Sequence, residues 1–138
     1  MIDTPMIDTP MIEALSRYLD VNVARNKLIT ANMANVDTPG YRTRDLDFRA
    51  ELARAEFHAD ISGQEFAGEA SLNYASNTPV SRPVRGLLMR PDGNNVSVER
   101  EGLLLAETQM KFNLGIQLLR DEFKGISQAI NSGGGTSS

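Results

Sequence analysis

The sequence predicts a mainly α fold. Two long helices at the ends of the chain pair as a coiled-coil-like bundle, and the middle is loop-rich, partly extended and mobile. Three observations carry this reading. Apolar residues recur at spacings of three and four near both ends. Pro39, Pro79, Pro83 and Pro91 punctuate everything between. One stretch, ANMANVDTPGYR at residues 31–42, closes the first helical pattern with proline and glycine in succession.

Composition bounds the answer. The 138 residues suffice for one domain. Leu, Ile, Val and Phe make up about a quarter of the chain, above the level of a wholly disordered one. An aromatic content of 6% without Trp argues against a large compact core. The net charge of -4 excludes a sequence-wide basic field for nucleic acid. Cysteine is absent, so there is neither a disulfide framework nor thiolate chemistry. The longest wholly apolar run, residues 103–106, is far short of a direct membrane span. A basic segment followed by an apolar one is missing at the start, so no cleaved secretory signal is expected.

Residues 1–11 read MIDTP twice, and Met11-Ile12 begins a third echo. The Thr-Pro steps disfavour helix, which gives a flexible leader or alternative starts at Met1, Met6 and Met11. Residues 12–35 form the N-terminal helix. Its stripe is Ile12, Leu15, Leu19, Asn22, Asn26, Ile29 and Met33. Buried asparagine in a helix seam costs stability but fixes register. Val21, Val23 and Leu28 lie off the stripe, so apolar residues occupy more than one side.

The next unit, residues 36–95, holds the turn motif and the loop-rich middle. Asn35 suits the left-handed conformation that ends helices. Pro39 and Gly40 fit the central positions of a type II turn, a hard stop that redirects the chain. Residues 58–80 are rich in Ser, Gly, Ala, Asn and Glu and are expected to be mobile. Short extended pieces are expected at residues 79–89, where Arg82, Arg85 and Arg90 form a local basic cluster.

The C-terminal helix, residues 96–131, has the clearest pattern. Leu105, Phe112, Ile116, Leu119, Phe123, Ile126 and Ile130 form one row. A second row, Leu103, Met110, Leu114 and Leu118, is read as lying beside it. Asn95 or Ser97 caps the start, and Glu99 and Glu101 suit the positive end of the helix dipole. Gly115 and Gly125 each cost roughly 1 kcal/mol relative to Ala, and can allow another backbone to approach. Residues 132–138 are a flexible tail. Two apolar rows exceed what one partner helix covers, which points to packing against other subunits. The competing reading is a monomeric hairpin covered by its own loop.

Residues 31–41, ANMANVDTPGY, resemble the ANxANxxTPGY signature of the flagellar rod and hook family of axial proteins. Arg44-Asp45-Leu46-Asp47-Phe48 and Asp92-Gly93-Asn94-Asn95-Val96 resemble its proximal rod members. The resemblance spans roughly residues 12–50 and 92–130 and leaves the middle and the doubled leader outside it. It implies a structural subunit of the proximal rod in the bacterial flagellar basal body. Such a subunit packs by its terminal helices, transmits torque, and connects the MS ring and export gate to the distal rod. The implied partners are copies of itself, other rod proteins, the MS ring with its adjacent proximal rod and export-gate proteins, and the flagellar type III export apparatus. The chain is expected to be exported to the periplasmic side without signal cleavage. The implied assembly motif is Asn32, Asn35, Thr38, Pro39, Gly40 and Tyr41. The implied helix-packing interface is Leu15, Leu19, Ile29, Met33, Leu105, Phe112, Ile116, Leu119, Phe123, Ile126 and Ile130.

Other functions fit the residues poorly. His58, between Glu56 and Asp60, lacks the further ligands a metal site needs. Asp45 and Asp47 are read as solvated, or paired with Arg42 and Arg44, rather than as catalytic carboxylates. Asp92-Gly93-Asn94-Asn95 lacks the spacing of a calcium loop and reads as a turn. Serine and histidine form no nucleophile arrangement. The expectation is therefore no enzyme, no cofactor and no nucleic acid. The alternative is a free coiled-coil adaptor or export chaperone. That would form a small closed oligomer and would have no need of Thr38-Pro39-Gly40-Tyr41.

Overall fold

A computed structural model describes residues 9–62 and 78–134. The element order is α1 (Pro10–Ala34), β1 (Arg44–Asp45), α2 (Phe48–Ser62), β2 (Arg82–Pro83) and α3 (Val98–Gly133). Most of the leader and tail, and most of the 58–80 stretch expected to be mobile, lie outside the described residues. The fold is mainly helical, as the periodicity predicts. No described helix is long and apolar enough to cross a membrane.

The helix starts follow from capping chemistry. Thr9 caps α1: its hydroxyl accepts from the Ile12 amide at 3.2 Å, and Pro10 takes the first helical position. Reading both Thr-Pro steps as breaking helix is therefore corrected for the second. A proline at the first position lacks only an amide that has no partner there anyway. Ser97 caps α3 and accepts from the Arg100 amide at 3.3 Å. Asn35 is not left-handed, with φ -102° and ψ 18°. The positive φ falls instead on Gly40, at 74°, and the Tyr41 amide closes the expected turn onto the Thr38 carbonyl at 3.2 Å.

Helix α2 departs from the loop-rich reading of the middle. Its sequence, FRAELARAEFHADIS, is built from strong helix formers. Asp47 caps it through a carboxylate oxygen that accepts from the Ala50 amide at 3.1 Å. The extended pieces are short. β1 and β2 pair antiparallel, Arg44 opposite Pro83 and Asp45 opposite Arg82.

Helices α1 and α3 run antiparallel. Thr9 meets Glu122 at one end, and Asn32 meets Glu101 at the other. Gly115 of α3 sits close against α1. A Cβ there would stand 2.8 Å from Leu19 Cδ2 and 3.1 Å from the Tyr18 ring. The Tyr18 ring in turn meets Phe48 of α2 edge-on, with centroids 5.5 Å apart. The buried apolar core among the described residues is small: Leu15, Val21, Ile29 and Leu46.

Two helices of unequal length leave an overhang. α1 has 25 residues and α3 has 36. Past Glu122, α3 continues for roughly three turns, about 16 Å, beyond the start of α1. The second row does not lie beside the first. Each of its members is two residues from one in the first row, which is about 200° around a helix. Leu103 is 72% exposed and Met110 73%, and Leu114 and Leu118 are also exposed.

Candidate assembly site

The end of the bundle that holds the ANMANVDTPGYR turn is joined by polar side chains rather than apolar ones. Asn32, 1% exposed, is the centre. Its amide nitrogen donates to the Arg44 carbonyl at 2.7 Å and to Glu101 Oε2 at 3.0 Å. Its oxygen accepts from the Tyr41 hydroxyl at 3.1 Å and from the Arg44 amide at 3.1 Å. One side chain thereby ties the last turn of α1 to the outgoing strand and to the first turn of α3. Every hydrogen-bonding position of its amide group is filled, the condition under which a buried polar group stabilises.

Two neighbouring asparagines do the same for the loop before α3. Asn94 donates to the Asn35 carbonyl at 2.9 Å and the Thr38 carbonyl at 2.8 Å, and accepts from the Val96 amide at 2.8 Å. The Asn95 oxygen accepts from the Thr43 amide at 2.7 Å, while the Thr43 hydroxyl donates to the Asn95 carbonyl at 3.2 Å. The Gly40 amide donates to the Asp92 carbonyl at 2.9 Å. A Cβ on Gly93 would lie 3.4 Å from the Gly40 Cα. Both glycines have positive φ, so the two turns meet backbone to backbone. Arg90 closes the edge by donating to the Val36 carbonyl.

Beneath this lies an ionic cluster. Asp45 accepts from Arg25 through both oxygens, at 3.1 Å each, and from Arg100 at 3.2 Å. Arg100 also donates to the fully buried Glu101 at 2.6 Å. Burial works to lower the Arg25 pKa. The Asp45 hydrogen bond and the charges of Asp45, Glu107 and Glu101 outweigh it and raise the value. Glu107, nearer solvent, is held below the ordinary glutamate value, chiefly by the Lys111 ammonium that donates to it at 2.6 Å. Lys111 also lies over the Phe48 ring, 4.9 Å from its centroid. Asp45 therefore pairs with Arg25 and Arg100, not with Arg42 and Arg44 as its sequence neighbours suggested. Strand geometry turns it inward to α1 and α3.

This arrangement positions helices relative to one another. Comparison with known proteins fits that character. No family model matches the chain. The flagellar basal body rod protein FlgB of Salmonella typhimurium is 32% identical over 126 residues, covering 83% of this chain and 88% of the relative. The chain belongs to the FlgB family of flagellar basal-body rod proteins. FlgB of Cereibacter sphaeroides is 34% identical over 113 residues, covering 77% of this chain and 82% of the relative. FlgB of Escherichia coli K12 is 28% identical over 122 residues, with 83% and 88% covered.

Within this FlgB-family chain the expected site residues separate by environment. Asn32 is buried, and Asn35 donates to the Ala31 carbonyl at 2.8 Å. Thr38 donates to the Asn35 side chain at 3.1 Å. Pro39 and Gly40 are exposed and Tyr41 is half-buried. Of the helix-packing set, Leu15 and Ile29 are buried. Leu19, Met33, Leu105, Phe112, Ile116, Leu119 and Ile126 are half-buried, while Phe123 and Ile130 are exposed. Asn22 donates to the Tyr18 carbonyl of its own helix at 2.8 Å. The side-chain oxygens of Asn22 and Asn26 are buried without a partner among the described residues.

Sequence reasoning missed Arg25, Thr43, Arg100 and the buried role of Glu101. Glu101 reads from sequence only as a first-turn acid. Its burial opposite Asn32 follows from the antiparallel register.

Proposed function

We propose that the chain is a non-enzymatic structural subunit of the proximal rod. In this reading it joins copies of itself and other rod proteins through α3 surfaces that α1 leaves uncovered. Leu103, Met110, Leu114 and Leu118 form one such surface, and Phe123 and Ile130 form another on the overhang. The overhang of α3 is the observation that carries the reading. A closed hairpin would have no use for three apolar-bearing turns beyond its partner helix, whereas a subunit that stacks head to tail can bury them against the next one. The described polar clamp fixes the angle between α1, the turn and α3, so the surfaces are presented in one geometry. The turn residues Thr38, Pro39 and Gly40 serve as part of that clamp and as an exposed rim for a neighbour.

The proposed neighbours include the MS ring and export-gate proteins at the base of the rod, with torque carried through to the distal rod. Delivery would use the flagellar type III export apparatus without signal cleavage. The rod description shared by the three relatives favours this over a free adaptor. The test is a pair of variants, Leu114→Asp and Phe123→Asp. Both side chains are exposed, so helical circular dichroism and monomer stability should hold. Rod assembly and motility in a strain relying on the variant should be lost. Full motility with both variants sinks the reading, and so does a small closed oligomer of the parent in sedimentation.

A further inference from the structure

The loop around β2 carries features that rod stacking by α3 does not use. Residues 78–91 contain Arg82, Arg85 and Arg90 and no Asp or Glu, in a chain of net charge -4. Apolar side chains stand uncovered among them. Leu88 is 96% exposed, Met89 52% and Val80 47%. Single exposed apolar residues are ordinary on a protein surface. An almost fully exposed leucine beside an exposed methionine, flanked by arginines, is a different pattern. Gly86, with φ 78°, lets the chain turn between Arg85 and Leu87. Arg42 adds to the charge, because it lines the same shallow groove of about 380 Å³ as Arg85, Val84 and Met89. Arg90 is turned back to the Val36 carbonyl. Arg42, Arg82 and Arg85 are exposed.

We propose that this loop is a peripheral docking site for an anionic lipid surface. Leu88 and Met89 would enter the boundary between headgroups and acyl chains, and the arginines would stay at the lipid phosphates. Charge complementarity chooses the surface: a basic loop on an acidic protein meets an anionic leaflet loop-first, with the rest of the chain repelled. The shape chooses lipid over protein. Leu88, 96% exposed, projects outwards, the groove that Met89 borders is shallow, and the loop has no acidic side chain to pair with a partner's cations. A few arginines and two apolar residues give weak, reversible binding. The site thus suits a subunit that touches a membrane in passing.

The test uses the full chain and vesicles of phosphatidylcholine, alone or mixed with phosphatidylglycerol. The parent should pellet with the phosphatidylglycerol vesicles at low salt and be released at high salt. Leu88→Asp, and separately Arg82→Glu combined with Arg85→Glu, should each lower the bound fraction by about tenfold or more, without change in helical circular dichroism. Lys124→Glu, a charge reversal on α3, should bind like the parent. The proposal is overturned by no pelleting at low salt, by equal pelleting with pure phosphatidylcholine, or by loop variants that bind like the parent. Loss of motility in Leu88→Asp together with no vesicle binding by the parent would assign the loop to a protein partner and overturn the lipid. None of these outcomes bears on the α3 variants that test the rod reading.

Discussion

Replacing Asn32 by alanine should be the most damaging single truncation in the clamp. The change removes four hydrogen bonds at once. They do not count equally. Tyr41 is half-buried, and its hydroxyl can turn to water. Glu101 is fully buried and keeps only its Arg100 partner. The Arg44 amide and carbonyl lose their partner together. An unsatisfied buried polar group costs about 1–3 kcal/mol, and more when charged. Glu101 counts in full, and the part-buried Arg44 amide and carbonyl count at the low end, which gives a loss of about 3–5 kcal/mol. That is a large part of the roughly 5–15 kcal/mol a domain commands.

Urea unfolding followed by helical circular dichroism reads this as a fall in midpoint at unchanged slope. Asn35→Ala is the control. Its side-chain bonds are local and exposed, and it should cost about 1 kcal/mol or less. Asn32→Asp separates packing from hydrogen bonding. It keeps the volume but cannot donate, and it sets a carboxylate against Glu101, so it should be at least as harmful as alanine. If Asn32→Ala costs no more than Asn35→Ala, the clamp does not hold this end of the bundle.

Other outcomes follow from single contacts. Gly115→Leu should destabilise by about 1–3 kcal/mol because its side chain would meet Leu19 and Tyr18. Gly125→Ala, with open space around it, should stabilise by up to about 1 kcal/mol, and thermal unfolding of the pair reads both signs. The Glu107 pKa is lowered in the folded chain, so its contribution is present above the ordinary glutamate range and lost as pH falls through the folded value. The gap in urea midpoint between parent and Glu107→Gln should therefore be widest near neutral pH and close in acid. Gly40→Val should disturb the turn, because a β-branched residue resists φ 74°. Normal assembly and motility in that variant would count against the turn's role.

What was legible in the sequence depended on whether the information was local. Helices α1 and α3 write their stripes at spacings of three and four, and the turn announces itself through Pro39 and Gly40. Helix α2 has no strong stripe. Its signals are propensity and the Asp47 cap, which are easily outweighed by the Ser- and Gly-rich residues that follow. The clamp was visible only in part. Asn32 and Asn94-Asn95 stand out as motif residues, yet the bonds that tie them across the clamp reach up to 69 residues along the chain, and no spacing rule reaches that far. Asp45 shows the limit most plainly. Its nearest arginines in sequence are Arg42 and Arg44, but β1 turns it towards Arg25 and Arg100. Local charge pairing fails where a strand edge meets two helices.

The division of labour between the two ends of the bundle follows from these chemistries. Directional hydrogen bonds fix one geometry and tolerate little slippage, so they suit the end where chain direction reverses at Gly40 and again at Gly93. Apolar contact is non-directional and roughly proportional to area. It suits the overhanging end, where the proposed function has the exposed Phe123 and Ile130 meet a surface that another molecule supplies. A subunit built this way sets its internal angle within itself and leaves only area to be buried on assembly. Variants at the clamp should therefore change monomer stability, and variants on the overhang should change assembly at constant stability. A stability loss in Phe123→Asp as large as that in Asn32→Ala would mean that the overhang is packed within the chain, and the division would fall.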